Sequence, residues 1–255
     1  MINLTIQNQP NDETCGPTCL HAIYTHFNHR ISLDAVINRV ERSVSGGTLA
    51  PFLALDALKT GFKTTIYINN VDIFDPTWFN IKGHAKKDLL EKLTLQSQEK
   101  KQSKGQYQLN HAYQRYLNSG GLIKFKTINA RLLKNYFDLH IPIMTGLSVT
   151  YLYRCARECF TAEGSAFYDD IHGTPCGHFV VLCGYDDVHR RVVIADPARK
   201  NPLSANNYYK VSINRLINAI MLGVLTYDAN LLIIEPKDAT CKQLSSPMIP
   251  SLGNF

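Results

Sequence analysis

Apolar residues in the first sixty positions recur at intervals of three and four, which predicts helices. After Cys15 this spacing predicts a helix that ends near Asn28. The stretch "ISLDAVINRVERS" predicts a second helix with Ser32 as its N-cap, and "GGTLAPFLALDALKTGF" predicts a third. The N-terminal part of the chain is therefore expected to be mainly helical.

The middle of the chain mixes short apolar runs with a long polar stretch. "KTTIYIN" (63–69) predicts a strand, whereas residues 78–118 are polar with helical spacing. "NARLLKNYFDLH" predicts an amphipathic helix that leads into a buried strand, "IPIMTGLSV".

The pattern changes to β-rich in the last third. "GHFVVLCGYDDVHRRVVIADP" contains two apolar runs around a short polar turn, which predicts a β-hairpin, and "NLLIIEP" (230–236) predicts a further strand. Helices first and an antiparallel sheet later indicate an α+β fold.

Length and composition favour one globular domain over residues 1–237, because 255 residues with 45% apolar content can bury a sizeable core. The Ser- and Pro-containing tail, 238–255, is expected to be poorly ordered. No apolar run approaches the ~20 residues of a membrane span. Because "MINLTIQNQP" lacks a signal-peptide pattern, a cytoplasmic location is expected, with signal-independent secretion left open.

The formal charge of +6 comes largely from lysines between Lys82 and Lys104. This segment lacks the interleaved aromatic residues of single-strand binders, so nucleic acid is not an expected partner. A solvated helical face is the simpler interpretation, and an acidic partner is the alternative. No pattern in the sequence indicates an oligomeric state.

Seven cysteines at irregular spacing indicate reduced thiols in a reducing compartment. Cys15 and Cys19, like Cys155 and Cys159, are four residues apart, which places each pair on one face of a helix. Zinc knuckles use tighter spacing with turn residues, so core packing is favoured over a metal site.

The residues around Cys15 are typical of a nucleophilic cysteine. Cys15 opens the first predicted helix, where unpaired N–H groups favour a thiolate. Gly16 allows a close backbone approach, and Pro17 suits a first turn because its missing N–H would be unpaired anyway. The alternative is a buried cysteine that happens to begin a helix.

The hairpin offers a histidine and an acid as partners for that cysteine. If the turn centres on Asp187, His178 lies directly opposite Asp196, where a carboxylate can orient an imidazole. The alternative is a polar cross-strand pair without catalytic function. Asp186 is a rival acid, as is Asp187, but both lie in the turn and are more simply turn formers.

Gln9 precedes Cys15 by one short loop. A tetrahedral intermediate needs two donors for its oxyanion, commonly a backbone N–H and a side-chain amide. Gln9 and the N–H of Cys15 can supply them, with Gln7 as the alternative amide.

Two motifs resemble one peptidase family. "Q-P-N-D-E-T-C-G-P-T-C-L" resembles the nucleophile motif of the double-glycine peptidases that process bacteriocin leaders, and of their stand-alone relatives. "GHFVVLCGYDD…RVVIADPA" is similar to their histidine block, and "HIPIMTGLSV" to the strand before it. The motifs are specific at 10–30 and 176–198. Residues 80–118 have no counterpart and are expected to be a lysine-rich helical insertion.

The resemblance implies a papain-like fold in which the nucleophile helix packs on a C-terminal antiparallel sheet. It also implies a cysteine peptidase or amidase with Cys15 as nucleophile, His178 as general base and acid, Asp196 as its orienting acid and Gln9 as oxyanion donor. No metal and no organic cofactor is required, and the expected substrate is a peptide or protein.

Three alternatives stay open. Phytochelatin synthases are similar in "GHF…ADPARKNP", which implies a dipeptidyl transferase acting on a small γ-glutamyl compound. A protein glutamine deamidase would use the same residues. A non-catalytic peptide-binding module is the third alternative.

Overall fold

Helices dominate the first half of the chain and strands the second in the computed structural model, which describes residues 1–161, 166–227 and 229–237. The helices are α1 (Cys15–His26), α2 (Leu33–Arg39), α3 (Ala50–Lys59), α4 (Leu89–Glu99), α5 (Lys104–Asn118), α6 (Ala130–Phe137), α7 (Val149–Tyr153) and α8 (Ile213–Leu222). The strands are β1 (Phe62–Ile68), β2 (Leu122–Lys124), β3 (Ile143–Ser148), β4 (Glu158–Phe160), β5 (Ala166–Tyr168), β6 (Gly177–Asp186), β7 (Arg191–Ala195), β8 (Tyr208–Ser212) and β9 (Asn230–Pro236). Short 3-10 helices span Pro76–Trp78 and Gly223–Thr226. The predicted tail, 238–255, lies outside the described residues.

Seven of these strands form one sheet, in the order β2, β1, β9, β3, β6, β7 and β8. β1 and β2 are parallel, and all other neighbours are antiparallel. β4 and β5 form a separate two-stranded antiparallel sheet. The predicted α+β fold is confirmed, and the sheet takes two strands from the first half of the chain in addition to the C-terminal strands.

Helix α1 packs against the sheet and is buried over its first ten residues. The thiol of Cys19 donates a hydrogen bond to the carbonyl of Phe179 on β6 at 3.3 Å, which fixes the helix against that strand. At the start of the helix, a Cβ on Gly16 would lie 2.3 Å from Cγ2 of Thr48. Only glycine therefore allows this close approach between α1 and the loop before α3.

Helices α6, α7 and α8 cover the opposite face of the sheet. Their apolar side chains include Leu133, Leu152 and Leu216, all fully buried. β6 therefore lies between two apolar layers, and its second residue, His178, has little access to solvent.

The β6–β7 hairpin forms as predicted, but its predicted register is wrong. Val181 pairs with Ala195 and Tyr185 with Val192, with a shift between Leu182 and Gly184. The loop is longer than the predicted turn, and the irregularity inserts an extra residue into β6, as a bulge does. His178 consequently does not lie directly opposite Asp196. Asp196 is the residue after β7, and it is displaced from His178 by about two residues along the strand, on the same face of the hairpin.

An extended N-terminal arm, residues 1–9, has no counterpart among the predicted elements. Its alternate side chains Ile2, Leu4 and Ile6 are buried, which is the period of a strand. Tyr208 holds it, because its hydroxyl accepts from the N–H of Ile6 at 3.1 Å and donates to the carbonyl of Leu4 at 2.8 Å. The arm ends at Gln9 and so determines where that residue lies.

The lysine-rich stretch contributes α4 and α5 to the body of the protein. α5 begins with a capping box between Ser103 and Gln106, and the buried residues Leu93 and Leu109 join the core that surrounds α1. The N-cap predicted at Ser32 is confirmed, since its side chain accepts from the N–H of Ala35. Two expectations from the sequence stay predictions: residues 80–118 are an insertion, and residues 1–237 form a single domain.

None of the helices in the described ranges combines the length and apolar character needed to span a bilayer.

Candidate active site

Cys15 is the first residue of α1, with 8% of its surface exposed. The hydroxyl of Thr14, before it, donates to the carbonyl of Asn11 at 2.9 Å and does not cap the helix. The first turn also lacks an acidic residue. The N–H groups and the positive end of the helix dipole are therefore directed at the neighbourhood of the thiol, where they favour negative charge.

His178 lies between this thiol and a carboxylate. Its Nε2 is 2.9 Å from Oδ1 of Asp196, and Cys15 interacts with the same imidazole. Burial disfavours the imidazolium, but the Asp196 carboxylate and Cys15 outweigh it, so the pKa of His178 is raised well above its ordinary value. Because Nε2 faces the carboxylate, Nδ1 is the nitrogen left to exchange a proton with the thiol.

Asp196 is fully buried and has several hydrogen-bond donors. Besides His178, the backbone N–H of Ala198 donates to Oδ1 at 2.9 Å, and the hydroxyls of Tyr153 and Tyr209 donate to Oδ2 at 2.7 and 2.5 Å. Burial alone would raise the pKa of this carboxyl, but His178 and the hydroxyl donors lower it to about 2. Asp196 is therefore a carboxylate at neutral pH.

Gln9 lies beside the loop that carries the acid. Its backbone N–H donates to the carbonyl of Pro197 at 2.7 Å, and Nε of Arg199 donates to the carbonyl of Gln9 at 3.0 Å. Its side-chain Nε2 donates to the carbonyl of Asn11 at 3.0 Å. Since a side-chain amide has two N–H donors, one remains for a further acceptor.

The structure thus brings Cys15, His178 and Asp196 together in one buried cluster, with Gln9 on the adjoining loop. The model of one family, described as the Peptidase_C39 like family, matches residues 1–218 of the sequence. The chain belongs to this family. It is a cysteine peptidase-like hydrolase, and the resemblance to this family found in the sequence is confirmed.

Several solved structures resemble this Peptidase_C39 like chain in outline. A double glycine motif protease from an AMS/PCAT transporter, in complex with the leader peptide, is 14% identical over 92% of this chain and 93% of its own, with a TM-score of 0.43. The peptidase domain of Streptococcus ComA, a bi-functional ABC transporter, is 13% identical over 92% and 100%, with a TM-score of 0.43. A C39-like peptidase from Bacillus anthracis is 13% identical over 92% and 96%, with a TM-score of 0.44. No curated protein matches the sequence significantly.

The rival acids of this Peptidase_C39 like chain lie at the far end of the hairpin. Asp186 interacts with His189 and Lys210, and Asp187 forms an ion pair with Lys134 at 2.7 Å. Neither contact involves His178. Asp196 is the acid bonded to His178, and its catalytic function stays a prediction.

The other cysteines near the site differ from Cys15. Burial, with Cys15 and Asp196 nearby, raises the pKa of Cys19 well above its ordinary value, so this thiol stays protonated. Cys176 is half-buried on the turn before β6, and its thiol lies 3.4 Å from the carbonyl of Gly177. Within the described ranges, no three His, Cys, Asp or Glu side chains are grouped as a metal site requires.

Two residues of the site, Tyr153 and Tyr209, are not among those predicted from the sequence. Tyr153 is the last residue of α7, and Tyr209 lies on β8 opposite Ile194. A period-two pattern in "YYKVS" indicates a strand, but only its pairing with β7 brings Tyr209 to Asp196. Nothing local in the sequence indicates the position of Tyr153.

Proposed function

We propose that this Peptidase_C39 like protein cleaves a peptide or protein amide bond through a Cys15–His178–Asp196 triad, with Gln9 as an oxyanion donor. The observation that carries the proposal is the buried cluster in which the imidazole of His178 is bonded to the Asp196 carboxylate and interacts with Cys15. A buried histidine with a raised pKa beside a thiol is suited to hold that thiol as a thiolate.

The first step transfers the proton of Cys15 to Nδ1 of His178. The carboxylate of Asp196 stabilises the imidazolium and keeps the hydrogen on Nε2 directed at Oδ1. The thiolate then attacks the carbonyl carbon, forming a C–S bond while the carbonyl π electrons move to oxygen. The oxyanion is stabilised by the N–H of Cys15 and the free amide N–H of Gln9.

The intermediate collapses to a thioester when the C–N bond breaks, and His178 gives its proton to the departing amine. Water, deprotonated by His178, then attacks the thioester and releases the carboxylic acid and the Cys15 thiolate. No metal or redox partner takes part in this sequence. The substrate class follows from membership in a peptidase family, and the described site does not restrict it further.

The test is incubation with a peptide library in oxygen-18 water, followed by mass spectrometry of products and of the acid-quenched protein. Hydrolysis predicts an acyl adduct on Cys15 and new carboxyl termini that carry one heavy oxygen. The Cys15→Ser variant is the control and should form neither.

Each alternative gives a different result. Transfer to a thiol or amine leaves the new acyl product without the heavy oxygen. Deamidation converts a glutamine side chain without cutting the chain. Retention of peptide without an adduct on Cys15 would identify a binding module and contradict the proposal.

A further inference from the structure

The two oxygens of the Asp196 carboxylate are used differently. Oδ2 accepts from the hydroxyls of Tyr153 and Tyr209, whereas Oδ1 accepts from the backbone N–H of Ala198 and faces His178. A carboxylate offers about four lone-pair positions, so all of them have a donor here. Rotation of the group would break both bonds to the tyrosine hydroxyls.

The two tyrosines approach from different elements. Tyr153 comes from the end of α7, and its ring also lies 6.5 Å from the ring of His178 at an interplanar angle of 55°. Tyr209 comes from β8, on the other side of the strand that leads to Asp196. The carboxylate is therefore held between two parts of the fold that are distant in sequence.

We propose that Tyr153 and Tyr209 are positioning residues of the proposed triad, which keep Asp196 ionised and hold its Oδ1 toward His178. This inference rests on the proposed function. In the absence of these hydroxyls, Oδ2 would be a buried anionic oxygen without a donor, and protonation of Asp196 would relieve it. A protonated Asp196 cannot stabilise the imidazolium of His178.

The hydroxyls are suited to this function because they keep their protons. Burial and the nearby Asp196 carboxylate raise the pKa of both tyrosines well above the ordinary value. The titratable groups that interact with the carboxylate are His178 on β6, the two tyrosines, and Cys19 on α1. Among the described residues, no Lys or Arg is hydrogen-bonded or ion-paired to Asp196, so no other positive side chain keeps it charged.

The test is the pH dependence of the alkylation rate of Cys15 by iodoacetamide in wild type, Tyr153→Phe, Tyr209→Phe and the double variant. Loss of a hydrogen bond to a carboxylate raises its pKa by roughly one to two units, so loss of both brings the titration of Asp196 into the range of about pH 4–6. We expect the pH below which the alkylation rate of Cys15 falls to be higher in the double variant than in wild type, by about one pH unit or more. The single variants should fall between it and wild type.

Tyr136→Phe is the matched control, because Tyr136 is half-buried like Tyr153 and its hydroxyl is bonded to Tyr67 at 2.8 Å, away from Asp196. Its profile should coincide with that of wild type. Circular dichroism and the midpoint of thermal unfolding report whether each variant is folded. If the double variant does not fold, the pH profile of Tyr153→Phe is compared with that of wild type instead. The side chain of Tyr153 is half-buried and lies nearer the surface than that of Tyr209.

The outcomes separate the two proposals. If wild-type Cys15 has a low-pH thiolate and the folded double variant keeps the same profile, the positioning function is wrong and the triad stands. If wild-type Cys15 reacts like an ordinary thiol, the proposed function fails, and the positioning function fails with it.

Discussion

Gln9 donates its backbone N–H to the carbonyl of Pro197 at 2.7 Å, which joins the loop before the nucleophile to the loop after the acid. Arg199 adds two bonds across the same junction, to the carbonyls of Gln9 at 3.0 Å and Pro10 at 2.5 Å. These contacts hold the proposed oxyanion donor in place relative to the proposed triad.

Arg199→Ala is therefore expected to misplace Gln9 without disturbing Cys15 and His178. Peptide hydrolysis should fall roughly tenfold, since misplacement by about 1 Å costs up to ~100-fold. Alkylation of Cys15 by iodoacetamide should be unchanged. Lys200→Ala is the control, and an equal loss in both variants would show that Arg199 has no special function.

Gln9→Ala tests the oxyanion donor itself. Removal of one such donor typically lowers kcat by ~100- to 1,000-fold. Alkylation by iodoacetamide forms no oxyanion, so its rate should remain that of wild type. Gln7→Ala is the matched control, because Gln7 is exposed and lies two residues away. A large loss in Gln7→Ala with none in Gln9→Ala would reverse the assignment.

The His178–Asp196 pair should make stability depend on pH in a defined window. The pKa of Asp196 falls from its ordinary 3.8 to about 2 on folding, so its contribution exists above 3.8 and is lost as the pH falls toward 2. The pKa of His178 is raised above 6.5, so its contribution exists below 6.5 and is lost as the pH rises through the folded value.

Both contributions are present between pH 3.8 and pH 6.5, the ordinary pKa values of the two groups. The stability difference between wild type and Asp196→Asn should therefore be largest at about pH 4–6.5, on the order of 2 kcal/mol, and smaller on either side. Urea unfolding at several pH values measures it. A difference that grows steadily up to pH ~9 would contradict the assigned directions.

The contact between Gly16 and Thr48 predicts an overpacking effect. Gly16→Ala places a Cβ 2.3 Å from Cγ2 of Thr48, which should destabilise the fold by about 1–3 kcal/mol. Thr48→Ser removes that methyl and keeps the hydroxyl that donates to the carbonyl of Glu41. In the double variant part of the loss should be recovered, and purely additive losses would mean that the contact is not the cause.

The sequence is sufficient for most elements near the site because their signals are local. The helix that begins at Cys15, the hairpin after His178 and the strand at 230–236 each have their own periodicity and turn residues, and all three are present in the structure. The proposed catalytic residues lie within these elements or in the loops next to them. Local sequence patterns are therefore enough to indicate their types and their order along the chain.

Features that depend on long-range pairing leave no such local signal. The predicted hairpin register is wrong because an irregularity between Leu182 and Gly184 and a longer loop leave no clear mark in the sequence. Tyr153 and Tyr209 reach Asp196 only through the packing of α7 and the pairing of β8 with β7. The contact between His178 and Asp196 is present, but it does not arise from the direct cross-strand pairing on which its prediction rests.

The most direct test of the central claim is the alkylation rate of each cysteine by iodoacetamide across pH, in wild type and His178→Ala, read by mass spectrometry. We predict that Cys15 in wild type reacts fast well below pH ~8.5, the pKa of a free thiol, and loses that advantage in His178→Ala. Cys19, buried and protonated, is the internal control and should remain unreactive. If Cys15 reacts identically in both proteins, His178 does not activate it and the proposed mechanism is wrong.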